Sequence, residues 1–233
     1  MRRAVFIGGF SNGREAVDRV GEALEKHHDD VVAYSFPYAM AHQKEVEKAV
    51  VRSLAVTHSA GWLAIWGTSP KEVQAFSPPL PRSVARLALA TGAKTLQMFT
   101  NRDLVPDLSE AWRFTKESTA ELAKLYDSES RGHWRYYLNG AISSCNAVDL
   151  AVMFDTEKTA VSLIYPDHDL YYTPTENDLS KANRYRINVE ILPTTVHDSL
   201  ILYPEQTLDR YYSGDAQPAS ISLGAHDAGY SAI

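Results

Sequence analysis

Residues 54–61 read Leu54-Ala55-Val56-Thr57-His58-Ser59-Ala60-Gly61, and Trp62-Leu63-Ala64-Ile65-Trp66 follows. The short apolar run Leu54 to Thr57 predicts a buried strand, the small residues after it predict a tight turn, and Trp62 to Trp66 predicts an apolar helix. Ser59 therefore falls at a sharp strand-to-helix turn. A serine there projects its hydroxyl away from the sheet, while the helix behind it aims unsatisfied N–H groups at the same spot. Serine is also an ordinary helix N-cap, so this junction alone leaves two readings, nucleophile or cap.

Short β-branched runs alternate with amphipathic stretches on the N-terminal side of this junction, which predicts βαβ units and a largely parallel sheet. AVFIGGF, Ala4 to Phe10, reads as a strand closed by glycines. Ser11 or Asn12 can cap the next helix, in which Val17, Val20 and Leu24 fall at helical spacing. VVAYSF, Val31 to Phe36, reads as a second strand, and a helix is expected from Lys44 to Arg52. After the junction, EVQAFSPP, Glu72 to Pro79, reads as a fourth strand stopped by its prolines.

From Leu80 to Asp155 the pattern becomes helical stretches and aromatic-rich loops, notably Arg82 to Leu89, Leu108 to Tyr126 and His133 to Leu138. This predicts a helical cap, residues 80–155, inserted into a core formed by 1–79 and 156–212. Core elements resume with a strand, Thr159 to Pro166, a helix, Thr175 to Asn183, a strand, Arg186 to Leu192, and a helix, Pro204 to Tyr212. Residues 213–233, rich in Ser, Ala, Gly and Asp, are expected to form a loosely ordered tail.

Composition narrows the function classes. The chain has 233 residues, 45% of them hydrophobic and 22% charged, as in soluble globular proteins. The net charge is −6, and no run of Lys and Arg is interleaved with aromatics, so nucleic acid is not an expected partner. Cys145 is the only cysteine, which excludes an intramolecular disulfide and favours a cytoplasmic setting. The apolar run after Arg2 and Arg3 is too short for a signal peptide or a membrane span and reads as a strand. His27, His28 and His42 lie apart from any Cys or Glu at ligand spacing, so no metal is assigned. Gly8-Gly9 lacks a third glycine at dinucleotide spacing, so no cofactor is expected.

Partners for Ser59 occur downstream. Tyr165-Pro166-Asp167-His168-Asp169 closes one late strand, and Val196-His197-Asp198-Ser199 follows the next. The order is serine, then acid, then histidine. Over roughly residues 3 to 212 the sequence resembles the α/β-hydrolase superfamily. T-H-S-A-G resembles its nucleophile elbow, although Thr57 stands where the G-x-S-x-G pattern has its first glycine. L-I-Y-P-D-H-D-L-Y-Y-T-P resembles the segment that carries the catalytic acid, with Pro166 in place of the glycine three residues before it, and V-H-D-S-L-I-L-Y-P-E resembles the histidine loop.

The resemblance implies an α/β-hydrolase fold and a serine hydrolase that needs no cofactor. His197 would serve as general base for Ser59, and Asp169 would hold the imidazole, with Asp167 as the alternative acid. Backbone N–H groups of Phe10 and Ala60 are the candidate oxyanion donors. The chain begins at what would be the third strand of the family's full sheet, so a reduced sheet of about six parallel strands is expected, with one edge to be covered or paired. The expected partner is a small-molecule acyl substrate, an ester or else a thioester or amide, and the cap aromatics Trp112, Phe114, Tyr126, Trp134, Tyr136 and Tyr137 could line its pocket. Two alternatives remain: a peptidase in which Glu110, Glu117 or Glu121 holds a free amine, and a hydrolase-like binding protein without turnover.

Overall fold

A computed structural model describes residues 2–9, 12–65, 67–78, 147–169 and 173–219. Most of the expected cap, residues 80–146, lies outside the described residues, as do Phe10 and Ser11.

Each expected core strand forms, and each is shorter than its apolar run suggested except the third, which runs one residue further, to His58. They are β1 (Arg3–Ile7), β2 (Asp30–Tyr34), β3 (Leu54–His58), β4 (Glu72–Phe76), β5 (Ala160–Pro166) and β6 (Asn188–Leu192). All six pair in parallel, in the order β2-β1-β3-β4-β5-β6. A parallel sheet is buried on both faces, which is why these strands read as continuous apolar runs. Successive residues serve opposite layers. Val5 and Ile7 enter one core cluster, with Ala55, Val73, Ala75, Leu163 and Tyr165, while Phe6 enters the other, with Val56, Phe76, Ile164 and Leu192. Full burial of each Val, Leu, Ile or Phe contributes about 1.5–3 kcal/mol.

Helices cover both faces. On the Phe6 side lie α1 (Arg14–Leu24) and two helices near the C-terminal end, named below. On the Val5 side lie α2 (Phe36–Ala41), α3 (Gln43–Val50), a 3₁₀ helix (Ser59–Ile65), α4 (Ala147–Ala151) and α5 (Glu176–Arg184). The sequence reading missed α2 and extended β2 to Phe36. Ser35 ends the strand instead, because its hydroxyl accepts from Tyr38 N–H as an N-cap and Pro37 sits in the first turn, where its missing N–H costs nothing. Helix α4 falls in the segment expected as cap, yet Ala147, Val148, Leu150 and Ala151 are buried with the sheet. Residues 147–151 therefore pack as part of the core. Thr175 caps α5 through a reciprocal pair with Asp178.

After β6, α6 (Ser199–Leu202) and α7 (Pro204–Ser213) place Leu200, Ile201, Leu202 and Leu208 in the Phe6 layer. Helix α7 stops at Gly214, whose φ is 91°. The expected loose tail then yields a seventh strand, β7 (Gln217–Pro218), antiparallel to β6 and secured by Ala219 N–H donating to Val189 O at 2.8 Å. Two residues, one a proline, carry no periodicity to read, and the pairing exists only through the tertiary edge they cover. Among the described residues no helix is long and apolar enough to cross a membrane.

The strand order reverses direction at β1, with β2 on one side and β3 on the other. In an open parallel sheet, ligands bind beyond the C-terminal strand ends at such a switch point. The segments after β1, β3, β5 and β6 that carry the residues singled out above all lie on this edge.

Candidate functional site

Ser59 is half-buried and follows β3 directly, with φ at 48°. For a residue with a Cβ that conformation costs of order 1–2 kcal/mol. Ser77 after β4 and Thr194 after β6 share it, at 50° and 56°, so three strained turns crowd the same sheet edge. The Ser59 turn is made possible by glycines. A Cβ on Gly61 would lie 2.2 Å from Gly8 O and 2.6 Å from Ile7 O, and one on Gly9 would lie 2.9 Å from His58 O. The ends of β1 and β3 thus pack backbone against backbone. The apolar helix expected from Trp62 to Trp66 starts earlier, at Ser59, and winds as a 3₁₀ helix to Ile65. Ala60 lies in its first turn, where N–H groups have no acceptor within the helix. Thr57 is fully buried, and its hydroxyl has no hydrogen-bond partner among the described residues.

The loop after β6 brings His197 back over this edge. Its Nδ1 lies 2.7 Å from Asp169 Oδ2, and the two side chains are 10% and 1% exposed. That contact orients the ring with Nδ1–H donating to the carboxylate. Asp167 has a different job. Its two carboxylate oxygens accept from Thr194 N–H at 2.8 Å and Thr195 N–H at 3.0 Å, which ties the β5 and β6 loops together. The alternative acid therefore faces backbone, two residues from the one that meets the imidazole.

Three further side chains, none assigned a part in the chemistry from sequence, complete the frame. His58 Nε2 lies 2.9 Å from His197 O, and Ser77 Oγ donates to the same oxygen at 2.7 Å. His58 Nδ1 lies 3.0 Å from Asn12 Oδ1, which also accepts from Gly9 N–H. Ser11 or Asn12 was expected to cap α1, but Gly13 occupies that position with no side-chain bond. A serine-histidine contact across 120 residues and an asparagine-histidine contact across 46 leave no local pattern, so these roles had no sequence signal.

Among the described residues, His58, His197 and Asp198 bring ligand atoms within 4.8 Å of one another. Both His58 nitrogens and His197 Nδ1 already face oxygen atoms, which leaves too few donors for a four-coordinate metal. The candidate oxyanion donor Phe10, the cap aromatics, and Glu110, Glu117 and Glu121 lie outside the described residues.

No protein-family model matches the sequence, and no curated protein does. Solved structures do match. A hydrolase from Oleispira antarctica superposes with a TM-score of 0.57 at 12% identity, covering 92% of each chain. An α/β-hydrolase fold protein from Burkholderia ambifaria gives 0.55 at 10% identity, covering 91% of this chain and 90% of its own. A thermophilic esterase from Thermogutta terrifontis gives 0.52 at 12%, covering 91% and 89%. With six parallel strands between two helical layers and these matches over nearly its whole length, the chain has the α/β-hydrolase fold.

Proposed function

We propose that the protein is a serine hydrolase that cleaves a carboxylic ester or a related acyl bond through an acyl-enzyme intermediate. The observation that carries this reading is the buried 2.7 Å contact of Asp169 with His197, on a loop clamped beside the strained Ser59 turn. In this reading His197 Nε2 takes the Ser59 proton as Oγ attacks the acyl carbon, then returns it to the leaving alcohol. Water, activated by the same imidazole, releases the acid. Asp169 holds the tautomer and stabilises the imidazolium. The Ala60 N–H, with that of Phe10, is assigned to the developing oxyanion. The esterase and hydrolase among the fold neighbours support the reaction class.

The test is hydrolysis of a short-chain nitrophenyl ester by the wild type beside Ser59→Ala, with circular dichroism to show that both are folded and fluorophosphonate labelling of Ser59. Labelling together with activity lost in the variant is the expected result. Faster cleavage of aminoacyl nitroanilides would move the assignment to a peptidase. A folded wild type that neither labels nor turns over any of these substrates would leave a binding protein.

A further inference from the structure

His58, the residue before the proposed nucleophile, is 1% exposed, and each of its ring nitrogens faces an oxygen. Nε2 meets His197 O, a carbonyl that can only accept. Nδ1 meets Asn12 Oδ1, whose identity as oxygen is fixed by Gly9 N–H, which donates to it. Turning the Asn12 amide would set its NH₂ against that N–H. Neither tautomer of a neutral imidazole satisfies this arrangement, because each would aim one nitrogen lone pair at an oxygen lone pair. A ring with hydrogens on both nitrogens satisfies it fully.

We propose that His58 is a positioning residue, held as an imidazolium that ties Asn12, at the end of the β1 loop, to the backbone of His197. This rests on the reading of His197 as general base. A buried cation is costly unless it is hydrogen-bonded and faces negative charge. Both conditions are met, since two oxygens accept from it and a carboxylate oxygen of Asp198 lies within 4.8 Å of a ring nitrogen. Among the described residues, the titratable groups that face His58 are His197, whose ring centroid is 5.5 Å away, and Asp198, with Asp169 behind His197. The β1 and β4 sides present Gly9, Asn12 and Ser77, which carry no charge. Loss of either proton breaks one end of the strut. The histidine loop then loses one of the two donors on its carbonyl, or the β1 loop loses its tie to β3.

The deciding measurement is nitrogen-detected NMR of histidine-labelled full-length protein, with pH-rate profiles beside it. At pH values above the ordinary histidine value of about 6.5, His58 is expected to keep both nitrogens protonated. The pH at which it loses one should coincide with an alkaline fall in kcat. Asn12→Asp, which puts a carboxylate at Nδ1, should move both events upward together. His58→Gln should abolish that limb and lower kcat roughly ten- to a hundred-fold with KM little changed, as misplacement of a base does. A His58 ring with one bare nitrogen at neutral pH in folded wild type would overturn the proposal, as would a His58→Gln variant that keeps the wild-type profile. The NMR reading needs no turnover, so it stands even where no ester is cleaved and the hydrolase reading fails.

Discussion

Gly61→Ala tests whether the Ser59 turn depends on backbone contact with β1. The added Cβ would sit 2.2 Å from Gly8 O, 2.6 Å from Ile7 O and 2.9 Å from Gly8 C. An ordinary carbon-oxygen contact is about 3.3 Å, so the two segments must part by about 1 Å. Neither is free to do so. Ile7 is registered with Tyr34 on one side and Thr57 on the other, and Gly8 N–H donates to Tyr34 O at 3.0 Å. Overpacking of about 2 kcal/mol, together with one weakened ladder hydrogen bond of about 1, gives a loss of about 3 kcal/mol. With a urea slope of roughly 2–3 kcal/mol per molar, the unfolding midpoint falls by about 1–1.5 M. Gly67→Ala is the control: φ there is 81°, no atom of the described residues lies within 4 Å of the added Cβ, and the left-handed penalty of about 1–2 kcal/mol applies. If Gly61→Ala lowers the midpoint no more than Gly67→Ala does, the close packing of β1 against the turn is not what shapes the site.

Asp169→Asn should keep the fold while lowering kcat about 10³–10⁴-fold, because the amide can donate to Nδ1 and favour the wrong tautomer; nitrophenyl ester kinetics with circular dichroism check it. Asp167→Ala removes the acceptor of the Thr194 and Thr195 N–H groups and should cost about 1.5–3 kcal/mol in urea unfolding, with a smaller effect on kcat than Asp169→Asn. Thr57→Val removes a buried hydroxyl without a partner at nearly constant shape and should raise the unfolding free energy by about 1 kcal/mol. Burial, then the neighbouring His27 and Arg2, hold the His28 pKa below its ordinary value, and its buried Nδ1 has no partner among the described residues while Nε2 meets Tyr212 Oη at 2.9 Å. Folding thus favours the neutral ring, so this stability is present above the unfolded value near 6.5 and is lost as pH falls through it toward the folded one; urea midpoints against pH should drop less steeply for His28→Gln.

What could be read from sequence divides along a physical line. Strands β1 and β3 to β6 were legible because burial on both faces demands unbroken apolar runs, and the serine-acid-histidine order was legible because each residue follows such a run. Asp169 could not be chosen over Asp167 in that way. The two share one loop, and what separates them is that Asp167 meets Thr194 and Thr195 N–H groups across 27 and 28 residues while Asp169 meets His197 across 28. Asn12, one of the two caps expected for α1, departs from that expectation for a related reason. Its residue type predicts a cap, and the local alternative is always available, but β3 delivers His58 to it from 46 residues away and the longer-range partner wins. The 3₁₀ winding after Ser59 follows the same rule, since its geometry is set by the approach of Gly61 to Gly8, a contact between two strand ends. Local pattern therefore specifies which elements form and in what order. The hydrogen bonds that orient Asp169, His197, His58 and Asn12 run between strand ends, and only the assembled sheet edge decides which of the locally reasonable partners each side chain takes.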